Sequence, residues 1–137
     1  MLTLHAQTAR DVMTPGPFSL RATATISEAT TFLTSRGFGA AVVIDEAGHP
    51  LGVVTKTDLL VYQREKSDRP HGPGHHAATV RDIMTPATFT VRENTLIGSV
   101  VEQMLELNVH HLFVTDAASV VVGVISPIDI LKKLKSV

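Results

Sequence analysis

The 137-residue sequence has no cysteine and no tryptophan, few aromatic residues (4%), and no apolar run near the roughly 20 residues that cross a bilayer. Without cysteine there are no disulfides, thiolate nucleophiles or cysteine-ligated zinc sites, so any chemistry must come from His, Asp, Glu, Ser, Thr or Lys. Residues 1–10 lack the apolar core of a signal peptide; a cytoplasmic chain with no membrane partner is expected. Basic excess is missing too, with 12 Lys and Arg against 13 Asp and Glu, which argues against a nucleic-acid partner. Lys132, Lys133 and Lys135 are read as complements to the negative end of a last helix. Also absent are the Gly-x-Ser-x-Gly elbow, the Gly-x-x-x-x-Gly-Lys phosphate loop and the His-Glu-x-x-His pair, so no enzyme is expected. What remains is 44% hydrophobic and 18% charged, a globular composition.

The chain is duplicated. Thr8-Ala9-Arg10-Asp11-Val12-Met13-Thr14-Pro15 returns as Thr79-Val80-Arg81-Asp82-Ile83-Met84-Thr85-Pro86, and the spacing from Asp11 to Asp82 is 71 positions. The same displacement carries Phe18 onto Phe89, Arg21 onto Arg92, Val43 onto Val114, Asp45 onto Asp116, Gly52 onto Gly123 and Asp58 onto Asp129. An unbroken offset of this kind marks a repeat.

Each copy reads as a short helix, a strand, a helix, two strands and a final helix. Thr25 with Glu28 forms a capping box that opens a helix, and Gly37 ends it. The apolar run 40–44, a turn and the apolar run 51–54 make a strand pair. Thr55 and Ser126 open the last helices, with Pro127 at a first helical position where proline costs no hydrogen bond. Residues 63–78, rich in Pro, Gly and His, are the expected connection between repeats 1–62 and 79–137. A half of this size is marginal alone, so the two are expected to pack about a pseudo-twofold axis. Leu96, Ile97, Val100, Val101, Met104, Leu105 and Leu107 cover about half a helical wheel, wider than the roughly 100° stripe one core needs. Packing between repeats and a homodimer interface both account for that excess.

The chemistry concentrates in Gly52-Val53-Val54-Thr55-Lys56-Thr57-Asp58 and Gly123-Val124-Ile125-Ser126-Pro127-Ile128-Asp129. In both, a hydroxyl sits where a helix starts, and a carboxylate follows three positions on. Free N–H groups and the helix dipole favour an anion there, while the acid can accept hydrogen bonds from a sugar diol. The same spacing also describes a capping box with no ligand. His71, His75 and His76 leave open a third reading, a His-rich metal-binding protein.

The ordered set of motifs, twice over, resembles the CBS-domain family: Asp-Val/Ile-Met-Thr-Pro, an apolar strand ending on Asp45 or Asp116, then Gly-x-x-Thr/Ser-x-x-Asp. The resemblance implies an α+β fold of two β-α-β-β-α repeats, a Bateman-type module with clefts between them for AMP, ADP, ATP or S-adenosylmethionine. It implies no obligatory cofactor and a regulatory role; with no effector domain in this sequence, that role is expected to act on an effector protein in trans, unless the module only buffers or senses a metabolite. Carried over by position, Asp58 and Asp129 become ribose acceptors, and Thr55 and Ser126 phosphate contacts. Gly39 and Ala40 in the first copy, and His110 and His111 in the second, stand near the phosphates, with Lys56 as a further charge. The adenine is expected beside Pro15, Pro17 and Phe18, and beside Pro86, Thr88 and Phe89; the two phenylalanines are equally readable as core. The histidine pair reads equally as phosphate contacts that make binding sensitive to pH near neutrality and as ordinary surface or packed histidines.

Overall fold

A computed structural model describes residues 1–16, 19–67 and 78–136. Its elements are mixed α+β and fall into two units, Ser19–Thr88 and a split unit made of Met1–Phe18 with Phe89–Val137. The units therefore do not coincide with the linear repeats: the opening segment of each copy is grouped with the strands of the other.

The 19–88 unit runs β3 (Ser19–Arg21), α2 (Ile26–Arg36), β4 (Ala40–Ile44), β5 (Pro50–Thr55), α3 (Lys56–Ser67) and α4 (Val80–Ile83). Its sheet has the order β3-β4-β5, β3 parallel to β4 across α2 and β5 antiparallel to β4. The helix α3 continues through Ser67, into the stretch expected to connect the repeats, and the rest of that connection lies outside the described residues. The expected capping box is present: Glu28 N–H donates to Thr25 Oγ1 at 3.0 Å, and Gly37 ends α2 at φ 67°, a left-handed turn that favours glycine.

The split unit brings β1 (Leu2–Leu4), α1 (Ala9–Val12) and β2 (Thr14–Pro15) together with β6 (Thr90–Arg92), α5 (Ile97–Leu107), β7 (Leu112–Thr115), β8 (Val121–Ile125), α6 (Pro127–Leu131) and β9 (Leu134–Ser136). Its main sheet is β2-β8-β7-β6, and β1 pairs with β9. The N-cap of α5 is Leu96, which makes no side-chain cap bond, where α2 has Thr25.

The cores correspond position by position. In the 19–88 unit Leu20, Ala29, Leu33, Ala41, Val43, Val54 and Val80 pack together; in the split unit Val91, Val100, Met104, Leu112, Val114, Ile125 and Ala9 occupy the matched places. Close approach of the opening motif to the sheet explains why glycine recurs at 52 and 123. A β-carbon on Gly52 would press into the Thr85 carbonyl oxygen and stand 2.8 Å from Met84 Sδ; one on Gly123 would meet Met13 Sδ at 2.7 Å and the Thr14 carbonyl oxygen at 3.0 Å.

Candidate ligand-binding site

In the 19–88 unit the strand pairing sets Ala40 directly across from Thr55, and Lys56 N–H donates to the Gly39 carbonyl at 3.0 Å. Thr55 and Asp58 satisfy one another: Thr55 N–H donates to Asp58 Oδ2 at 2.8 Å, and Asp58 N–H donates to Thr55 Oγ1 at 3.1 Å. The capping interpretation of this spacing is thus real, and it uses only one carboxylate oxygen. Lys56 is exposed, while Thr55 and Asp58 are half-buried. The Met84-Thr85-Pro86 segment lies along β5 through a two-bond antiparallel bridge between Val53 and Thr85, 2.9 Å each way, so Pro86 runs back toward Gly52.

In the split unit the closing motif is built from the same parts with different details. Ser126 N–H and Ser126 Oγ both donate to Asp129 Oδ2, at 2.8 and 3.0 Å, and Thr14 Oγ1 donates to Asp129 Oδ1 at 3.3 Å. Thr14 arrives because β2 pairs with β8, Thr14 opposite Val124 and Pro15 opposite Gly123. The pairing of Leu112 with Ile125 brings His111 to the level of Ser126, as Ala40 stands to Thr55. His110 is exposed and His111 half-buried. Burial lowers the His111 pKa from its ordinary value of 6.5, neighbouring His110 lowers it further, and Asp129 works against both.

Proline at 127 changes the backbone here. Lys56, the first residue of α3, has an N–H that donates to the Gly39 carbonyl; Pro127 has none, so the matching bond to His110 cannot form. The ladder accordingly ends one residue sooner, with β7 beginning at Leu112 and β8 ending at Ile125.

The expected residues thus gather in two sets, Gly39, Ala40, Thr55, Lys56 and Asp58 with the Thr85–Pro86 segment, and His111, Ser126 and Asp129 with Thr14 and Pro15. Thr88 is half-buried, and Phe89 is 44% exposed, its carbonyl accepting Phe113 N–H at 3.0 Å; this side chain is no part of the core. Pro17 and Phe18 lie outside the described residues, as do His71, His75 and His76. Thr14 stands inside the repeated Met-Thr-Pro motif, yet nothing in the sequence marks it as a partner of Asp129, because a constant offset does not tell which closing motif an opening motif joins. Apolar space is found elsewhere: a groove of about 490 Å³ between α2 and α3, lined by Leu33, Phe38, Leu59, Leu60 and Lys56 among others. Neither this groove nor the polar one of about 400 Å³ beside Arg92 and Asp116 is lined by Asp58 or Asp129. Among the described residues no three His, Asp or Glu side chains gather as a metal site.

A duplicated strand-helix-strand-strand-helix unit, with an acid capping each closing helix, defines a class of paired α+β domains. The model of the CBS domain matches residues 9–65 and again 80–136, and the chain belongs to the CBS-domain family. It is 27% identical over 123 residues to the uncharacterized protein MK0525 of Methanopyrus kandleri, covering 90% of this chain and 58% of that one; the chain thus spans little more than half the length of this relative. Among solved structures, CBSX2 in complex with AMP superposes with a TM-score of 0.77 at 24% identity, over 93% of this chain and 95% of that one. The cytosolic domain of the Mg2+ channel MgtE in complex with ATP gives 0.75 at 26% identity, over 94% of this chain and 49% of that one.

Proposed function

We propose that this chain is a non-catalytic regulatory module that binds an adenosine-containing ligand, AMP, ADP, ATP or S-adenosylmethionine, at one or both closing motifs. The observation that carries the reading is local and occurs twice. Asp58 and Asp129 each commit Oδ2 to the helix cap, and at Asp129 the other oxygen, Oδ1, stays off that backbone and accepts from Thr14 in the Met-Thr-Pro segment of the other copy. A carboxylate held this way can accept from a ribose diol without giving up its cap; at Asp129 the diol would displace one long bond from Thr14. CBSX2 with AMP and MgtE with ATP support the ligand class. Ligand shifts the population toward the packing of repeats or protomers that binds it better, by no more than the difference in binding free energy, and an effector in trans reads the shift. The protein is placed in the cytoplasm by this reading; no helix among the described residues is long and apolar enough to cross a membrane.

Calorimetric titration with the four ligands tests the proposal. Asp58→Ala and Asp129→Ala each remove a charged acceptor worth about 1.5–3 kcal/mol, so affinity at the matching site should fall about tenfold or more. Far-UV circular dichroism of each variant separates lost binding from a lost cap. Unchanged affinity in both single variants and the double variant rejects the ribose role.

A second reading, a dimerising module without ligand, is favoured by one surface. Along α5 and its cap Leu96, Leu105 and Leu107 are exposed while Val100 and Met104 are buried. Sedimentation at rising concentration should then show a dimer that Leu105→Glu dissociates.

A further inference from the structure

The groove between α2 and α3 and the outer side of α5 are complementary in charge and share apolar character. Leu33, Phe38, Leu59 and Leu60 line the groove, and Leu60 is 70% exposed. A second hollow of about 420 Å³ shares Ile26, Thr30 and Gln63 with it, so the two continue one another along the helix pair. The α2 wall is threonine, yet it leaves no hydroxyl unmet: Thr30 Oγ1 donates to the Ile26 carbonyl at 2.8 Å and Thr34 Oγ1 to the Thr30 carbonyl at 2.7 Å. An apolar side chain can therefore cover this wall without stranding a donor. Among the described residues, the charged groups that line the groove are Lys56 and Lys66, both exposed. At the positions matched to Thr30 and Thr34, α5 has Val101, half-buried, and Leu105, 75% exposed. The charged residues of α5 are Glu102 and Glu106, both exposed, and it contains no Lys or Arg.

We infer that the α2–α3 groove receives α5 of a second copy, with Leu105 entering beside Leu60 and the two glutamates meeting the two lysines. The inference rests on the dimer reading above and deepens it, by naming the surface that covers α5; it holds with or without a bound ligand. Each chain carries both surfaces, so two copies related by a two-fold axis make the contact twice, and assembly closes at the dimer. The competing arrangement sets α5 on α5 and groove on groove. It brings carboxylates against carboxylates and ammonium groups against ammonium groups, and like charges held together oppose association. Charge therefore selects between two pairings that apolar area alone does not distinguish.

The test is sedimentation velocity of the full chain over a concentration series, with two charge-reversed variants. One carries Glu102→Lys and Glu106→Lys, the other Lys56→Glu and Lys66→Glu. Each variant alone should dimerise about tenfold or more weakly than wild type, because its α5 and its groove then carry the same sign. An equimolar mixture of the two should recover the dimer, since every α5 again faces a groove of opposite charge. Far-UV circular dichroism checks that both variants keep their helices. Variants that each dimerise as wild type does overturn the inference and leave the dimer reading standing, with the copies joined through matching surfaces. A mixture that stays as weak as its components overturns the inference in the same way. A wild-type chain that remains monomeric throughout the series overturns both.

Discussion

Where the 19–88 unit has Ala29, Ala41 and Val54 in its core, the split unit has Val100, Leu112 and Ile125 at the matched positions. The smaller inner residues have compensation at the edge: Phe32 and Phe38 pack partly buried against the 19–88 core, at places where the other copy carries Gln103 and Val109. One backbone plan therefore holds two distributions of volume: the split unit is larger at these three positions, and the 19–88 unit at Leu20 and Val80, matched by Val91 and Ala9, and at the phenylalanines of its rim. What is kept is the alternation of apolar positions, because patterning and total volume matter more to a fold than the identity of each side chain. The same contrast extends to the sites, alanine and glycine in one copy and two histidines in the other.

Leu112→Ala, which gives the split unit the residue its counterpart already has, should break this balance most. Leu112 is fully buried and no rim phenylalanine stands ready to fill the space, so denaturant unfolding should show a loss of about 2–5 kcal/mol. The glycines come next. Gly52→Ala drives a methyl into the Thr85 carbonyl, a backbone atom, and should cost about 1–3 kcal/mol by the same measurement. Gly123→Ala should cost less, because its closest obstacle is the flexible end of Met13. Equal losses at the two glycines would mean that the opening segments do not seat differently. The smallest effect concerns the caps. Thr25→Ala should destabilise by about 0.5–2 kcal/mol, while Leu96→Thr, which adds a cap where α5 has none, should raise the melting temperature.

Much of this molecule was legible in order along the chain. The strand 40–44, the cap at Thr25, the stop at Gly37 and the opening of α6 at Pro127 all depend on neighbours within a few residues, where hydrogen-bond needs and steric limits act directly. The site was legible only in part. Thr55 with Asp58, and Ser126 with Asp129, lie three apart and meet for local reasons. Thr14 reaching Asp129 across 115 positions has no such signal, and nor does the shortened ladder at His111, which needs both the register of β7 on β8 and the missing N–H of Pro127.

By itself the sequence determined that there are two copies, where α2 starts and stops, where α6 opens, and which acids cap the closing helices, since each follows from contacts between near neighbours. Only the tertiary structure decided that each opening motif is grouped with the other copy's strands, that Gly52 and Gly123 are needed for a close backbone approach, and that an imidazole rather than a methyl flanks the second acid. Strand pairing over long separations sets these, and an identical motif repeated at a constant offset carries no mark of which partner it will take.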